Sequence, residues 1–297
     1  EVSNVYGGTS TNGSSSNNKV YIKDGTTRYI IAGYSTNKEN INNVENNSVY
    51  IGGGKVIGNV YGGLSENGNA YNNNVIISSG KITGDVFGGI SENGNSNNNA
   101  IIIKGKVNSS YISAGNSDNG NADNNLVFIS DSSTNADIYG GQSLNGDANN
   151  NIIIISETVA ASGRIAGGRS SEGNTNNNTV IISDSTIQGN IYGGRTNEGN
   201  ANANTIIISN STMPNVIYGG GSSKGNATDN TVIISNSTYD SNGMKTTNVY
   251  GGYTENGNTE RNTVQITGGK STDIYGGYSG LGKTKDNIVI INGGEVS

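Results

Sequence analysis

The chain has 297 residues with 17 Lys and Arg against 23 Asp and Glu, a net charge of −6, and it contains 47 Gly, one Pro, no Cys and no His. Without cysteine there are no disulfides, thiolate metal sites or cysteine nucleophiles, and without histidine the commonest general base and metal ligand is gone. The acidic balance argues against nucleic acid or an anionic membrane as partner, and no apolar run is long enough to cross a bilayer as a helix.

Hydrophobic residues make up only 31% of the chain, which would suit disorder if they were scattered. They recur in columns instead. The chain opens on Val5-Tyr6-Gly7-Gly8, and the second glycine of this doublet returns at Gly33, Gly63, Gly89, Gly115, Gly141, Gly168, Gly194, Gly220, Gly252 and Gly277. Most intervals run 25 to 27 residues, with longer ones of 30 from Gly33 to Gly63 and 32 from Gly220 to Gly252. Eleven copies at this spacing define a repeat protein, one coil of about 26 residues per copy.

Each copy starts with a short strand whose aliphatic lies two residues ahead of the doublet, from Val5 and Ile30 to Val249 and Ile274. Ser or Thr follows the doublet by two residues, and a turn glycine comes three later in ten of the eleven copies. Pairs such as Asn67-Gly68, Asn93-Gly94 and Asn119-Gly120 mark tight turns. An Asn then stands before the second strand in every copy: Asn18, Asn47, Asn73, Asn99, Asn125, Asn151, Asn178, Asn204, Asn230, Asn262 and Asn287. The second strand reads Val-Ile-Ile-Ser in its commonest form. Its first column is Val or Ile and its third is always Ile, as in Ile129, Ile155 and Ile182, the i, i+2 spacing of a strand with one buried face. The middle column tolerates Tyr21, Tyr50, Phe128 and Gln265, so it faces outward. A weaker apolar position at Val56, Ile82, Ile187 and Met213 marks a third face.

Two or three buried aliphatics per coil cannot form a core alone. Stacking coils at about 4.8 Å makes each column continuous. The predicted fold is therefore all-β, a parallel β-helix (β-solenoid) of about eleven coils, forming a rod on the order of 50 Å long. In that stack the asparagines form a ladder of amide hydrogen bonds along the axis, with Asn73, Asn99, Asn125, Asn151, Asn178, Asn204 and Asn230 as its interior members. A surface loop rich in Asn is the plainer alternative, but such loop residues drift in position and these do not.

Two coils carry insertions, near 34–46 and 236–248, and these are the expected recognition loops. Lys38 and Glu39 in the first, and Tyr239 and Lys245 in the second, are candidate ligand contacts. The residue before the doublet is usually Tyr, and strand alternation points it outward. Tyr61, Tyr139, Tyr192 and Tyr218 are thus further candidates for contact with a sugar or protein surface, although aromatic stacking between coils also stabilises a solenoid with no ligand. Glu66, Glu92 and Asp118 share a turn position on successive coils, where either a bound Ca²⁺ or splayed, solvated side chains would relieve repulsion. No metal or cofactor site is assigned.

The copies, for example Ile191-Tyr192-Gly193-Gly194 followed by Asn204-Thr205-Ile206-Ile207-Ile208-Ser209, resemble the Gly/Asn-rich repeats of autotransporter (type V secreted) adhesin passengers over the whole chain. The resemblance implies a right-handed parallel β-helix on the surface of a Gram-negative bacterium, exported by a C-terminal β-barrel that lies outside this chain. Residues 1–297 then form a single continuous solenoid segment. Glu-Val-Ser begins and closes the chain at the same phase of the repeat, which is expected of a window on a longer array whose leader has been removed. The function implied is a non-catalytic adhesin or stalk segment that meets a host or bacterial surface protein or glycan. Homotypic association into an extracellular matrix fibre and a polysaccharide-active β-helix enzyme are the alternatives.

Overall fold

The computed structural model describes residues 1–36, 39–160, 163–213, 216–239 and 247–296. Every strand pair among them is parallel, and the chain winds through about ten turns of a β-solenoid with a repeat of about 26 residues. Each coil presents three strand faces and one edge of tight turns.

The first face carries the doublets. Its strands, such as Val86–Ser91, Ile165–Ser170 and Ile191–Thr196, pair in register from coil to coil: Ile138 on Ile165, Ile165 on Ile191, and Gly141 on Gly168 on Gly194. The second face stacks Ile129 on Ile155 on Ile182, and Val127 on Ile153 on Val180. All of these aliphatics are fully buried in one continuous core. The alternation that puts them inside turns the middle column outward, where Ile154, Ile181 and Ile207 are half-buried and Tyr21 stacks on Tyr50 at 4.8 Å.

The weaker third column is a real face. Val56, Ile82, Val107, Ile187 and Met213 are buried, and short strands such as Val159–Ala160, Thr186–Ile187 and Thr212–Met213 stack along it.

The turn edge is narrow because a column of small side chains lines its inside. Ala70, Ser96, Ala122, Ala148, Thr175, Ala201 and Ala227 are all buried three residues before the ladder asparagines. Between each small residue and its ladder Asn the chain turns through a residue in the left-handed region, with φ of 56° at Asn72, 57° at Asn98, 57° at Asn150 and 57° at Asn177. Asn tolerates that conformation better than other residues with a Cβ, which is why Asn pairs recur here. In two coils Ala203 and Arg261 hold the same conformation. A second left-handed corner follows the second strand, at Asp131, Asp184 and Asn210 and, in the early coils, at Gly54, Gly80 and Gly105.

Candidate functional site

The asparagine column forms the predicted ladder. Each Nδ2 donates to the Oδ1 of the next coil: Asn73 to Asn99 at 3.1 Å, Asn99 to Asn125 at 3.2 Å, and Asn125 to Asn151, Asn151 to Asn178, Asn178 to Asn204 and Asn204 to Asn230 at 3.0 Å. The other amide hydrogen goes back to the small residue of the coil before, as in Asn151 to the Ala122 carbonyl at 2.9 Å. Each Oδ1 also accepts the backbone N–H of the previous ladder residue, as Asn178 Oδ1 does from Asn151 N at 2.9 Å. A buried amide would be costly if unpaired. Here each interior one makes a full set of bonds along the axis.

The glycine doublets and the asparagines are one device. A Cβ built on Gly89 would lie 2.6 Å from Cγ, Oδ1 and Nδ2 of Asn99. The ladder amide occupies the volume a side chain would need, so ten residues apart in sequence the two columns require each other. The Ser/Thr column closes the turns in the same way. Ser91 Oγ accepts the Gly94 N–H at 2.7 Å and donates to the Gly68 carbonyl of the preceding coil at 2.7 Å. In the inserted coil, where the turn glycine is missing, the Asn42 carbonyl accepts from Ser65 Oγ instead, at 3.0 Å.

Two further ladders were not anticipated. Along the turn edge, backbone N–H groups donate to the side chain of the coil before, through Asn95, Asn121, Asp147, Asn174, Asn200 and Asn226. A parallel one runs through Asn97, Asp123, Asn149, Asn176 and Asn202. The recurrence of Asn after the turn glycine was the available signal. Burial raises the Asp123 carboxyl pKa, and the Asn149 N–H it accepts pulls the other way. On the same edge Arg261 grips Asp229 with two bonds of 2.7 and 2.8 Å, which hold that carboxyl below the usual range.

With the interior committed to holding coils together, the outward side of the first face is the candidate binding surface. Tyr61 is half-buried, stacks on Phe87 at 5.3 Å, and receives a hydrogen bond from Asn59. Tyr139 corrects the expectation of an exposed column, being only 1% exposed. Ser113 leaves a gap in the coil before it, and Tyr111 fills that gap against Tyr139 while Arg169 lies over the ring. The Tyr111 hydroxyl bonds to Gln142, and burial pushes its pKa far up. Phe87 is covered as well.

Further along, the strip opens. Tyr192, Tyr218, Tyr250 and Tyr275 stack in order at 5.0, 5.1 and 4.7 Å. Beside them a second column, Tyr253 on Tyr278 at 5.3 Å, meets the first edge-on. Arg195 lies over Tyr192 at 5.2 Å. Burial, then the neighbouring tyrosines, raises the Tyr218 hydroxyl pKa, and burial, then the Glu255 carboxylate, raises that of Tyr253. Between Arg195 and Tyr253 the column holds only Gly221, leaving a notch of about 210 Å³. Sequence reasoning singled out Tyr192 and Tyr218 here but passed over Arg195, Gly221 and Tyr253, which follow the doublets directly, and Glu255, two residues after Tyr253.

Of the insertion candidates, Lys38 and Lys245 lie outside the described residues. Glu39 is exposed, and Tyr239 ends a strand that pairs with Met213. In the acidic column Glu66 accepts a hydrogen bond from the Tyr34 hydroxyl at 2.9 Å, and the described residues include no group of three or more acids placed to hold a metal ion. No protein-family model, curated protein or solved structure matches the chain.

Proposed function

We propose that this chain is a non-catalytic segment of a bacterial surface adhesin or stalk, a stiff solenoid that carries a binding strip on one flank. The observation behind this reading is the division of labour across the coil. The inward asparagine amides are hydrogen-bonded between coils, as that of Asn151 is, and contribute rigidity. Along one outward flank, from Tyr192 to Tyr278, runs a stack of half-buried to exposed tyrosines that is not part of that bonding. Stacked aromatics with a polar tip and a neighbouring arginine suit recognition of another surface. The likeness of the repeat to passenger repeats of autotransporters supports an extracellular, outer-membrane-surface location, with a host or bacterial surface protein or glycan as partner.

Beads coated with the purified chain are expected to attach to host-cell or bacterial surfaces above the level of beads coated with bovine albumin. Incubation with a polysaccharide panel, with and without Ca²⁺, is expected to release no reducing ends. Sustained turnover in that assay would replace the adhesin reading with that of a β-helix enzyme.

A further inference from the structure

The glycine at 221 stands out from the other glycines of the first face. In the doublets a Cβ would strike the Asn ladder or a neighbouring carbonyl, as at Gly89. At Gly221 a Cβ would meet only Tyr192 at 3.7 and 3.9 Å and the Gly194 carbonyl at 3.9 Å, ordinary contacts, and the backbone is not in the left-handed region. Neither sterics nor conformation demands glycine there. What its small size does is interrupt a column of large side chains: Arg169 and Arg195 on one side, Tyr253 and Tyr278 on the other.

The interruption has the dimensions of a ring. Arg195 and Tyr253 are two coil steps apart, about 9.6 Å at the usual strand spacing. One ring centred there sits about 4.8 Å from each neighbour, the spacing that the tyrosine rings alongside keep at 4.7–5.1 Å. The volume of about 210 Å³ falls below the range of drug-sized pockets, roughly 300–1,000 Å³, and matches a single ring. Tyr253 stacks on Tyr278, and toward the coil of residue 221 it meets Tyr218 edge-on at 5.2 Å, while Gly221 itself puts no side chain against it. Tyr192 and Tyr218 also line the notch, together with the polar residues Ser223 and Glu255.

We propose that this notch is a subsite for a pyranose ring of a glycan, stacked on Tyr253 and hydrogen-bonded to Arg195 and Glu255. A sugar suits the lining better than an aromatic side chain does. Its hydroxyls accept from the guanidinium and donate to the carboxylate, whereas a phenyl or phenol ring would strip water from both charges and leave them poorly paired. The subsite presupposes that the outward strip is the binding face of the rod.

Saturation-transfer NMR on the purified chain tests it with the methyl glycosides of glucose, galactose, mannose and N-acetylglucosamine, with N-acetyltyrosinamide as the aromatic competitor. At least one glycoside is expected to bind the wild-type chain. Gly221→Tyr is expected to weaken it by at least about tenfold while the melting temperature stays level or rises, since a tyrosine there continues the column of Tyr253 and Tyr278. Glu255→Gln, at an exposed position, is expected to weaken glycoside binding with the fold unaffected, and it decides the matter if Gly221→Tyr does not fold. Binding of none of the glycosides, binding of N-acetyltyrosinamide alone, or glycoside binding unchanged in folded Gly221→Tyr or in Glu255→Gln overturns the subsite. The bead assay separates this from the broader reading. Adhesion that persists without glycoside binding removes the subsite alone, and glycoside binding without adhesion removes the adhesin reading alone.

Discussion

Replacing Asn151 by Ala tests the ladder where it is best isolated from water, since this residue is fully buried. The substitution removes four hydrogen bonds: Nδ2 to Asn178 Oδ1 and to the Ala122 carbonyl, and the two that Oδ1 accepts from Asn125. Their partners are not equally harmed. Asn178 Oδ1 keeps the backbone N–H of residue 151, and Asn125 Nδ2 keeps the Ser96 carbonyl. The Asn125 backbone N–H and the Ala122 carbonyl are the groups left stripped. At about 1–3 kcal/mol for each buried unsatisfied group, the loss is about 2–6 kcal/mol. Asn200→Ala breaks one rung of the half-buried turn-edge ladder, where water reaches the Asn226 N–H it leaves behind, and the loss there is expected below about 1 kcal/mol. Urea unfolding followed by circular dichroism measures both. Hydrogen exchange in the affected coils shows whether the loss is local, as nearest-neighbour coupling between repeats requires. The double substitution Asn151→Ala with Asn178→Ala should cost about 0.5–1.5 kcal/mol less than the two singles together, because both remove the same side-chain bond. Equal losses for Asn151→Ala and Asn200→Ala would refute the view that burial gives the inner ladder its strength.

Three other perturbations follow from the same geometry. Ala203→Asn places a residue tolerant of the left-handed region at φ 55° and is expected to raise stability by about 0.5–1 kcal/mol; an unchanged urea midpoint counts against corner strain. Gly89→Ala is expected to cost about 1–3 kcal/mol by displacing the Asn99 amide, and a neutral result would disprove the shared occupancy of that volume. Tyr34, desolvated and bonded to Glu66, and Tyr139, buried beside Asp137, are raised from 10.0 to about 12. The folded chain therefore holds protons that the unfolded chain has released between pH 10 and about 12, so their contribution to stability is complete below pH 10 and declines through that window. A titration of tyrosinate absorbance should show a late-ionising class that disappears on unfolding; uniform ionisation near 10 would contradict the burial.

Much of this architecture can be read from the repeat, because the features concerned are periodic in one dimension. Ile129, Ile155 and Ile182 recur at i, i+2 from an equally regular Ile or Val, and a strand with one buried face and one stacking distance is the arrangement that satisfies both. The buried Asn ladder follows once the coils are stacked. What the tertiary structure alone decided is lateral, meaning which side chain of one column leans on which side chain of another. Tyr139 and Tyr192 occupy the same repeat position, yet Tyr139 is covered because Ser113 one coil back makes room for Tyr111 and Arg169 closes over it. Gly89 and Gly221 are both glycines next to a doublet or within one, yet one is required by Asn99 and the other leaves an open notch. Such contacts depend on how sharply the chain bends after the doublet and on the size of residues about 26 positions away. Column-by-column periodicity records neither, whereas the packed coil fixes both.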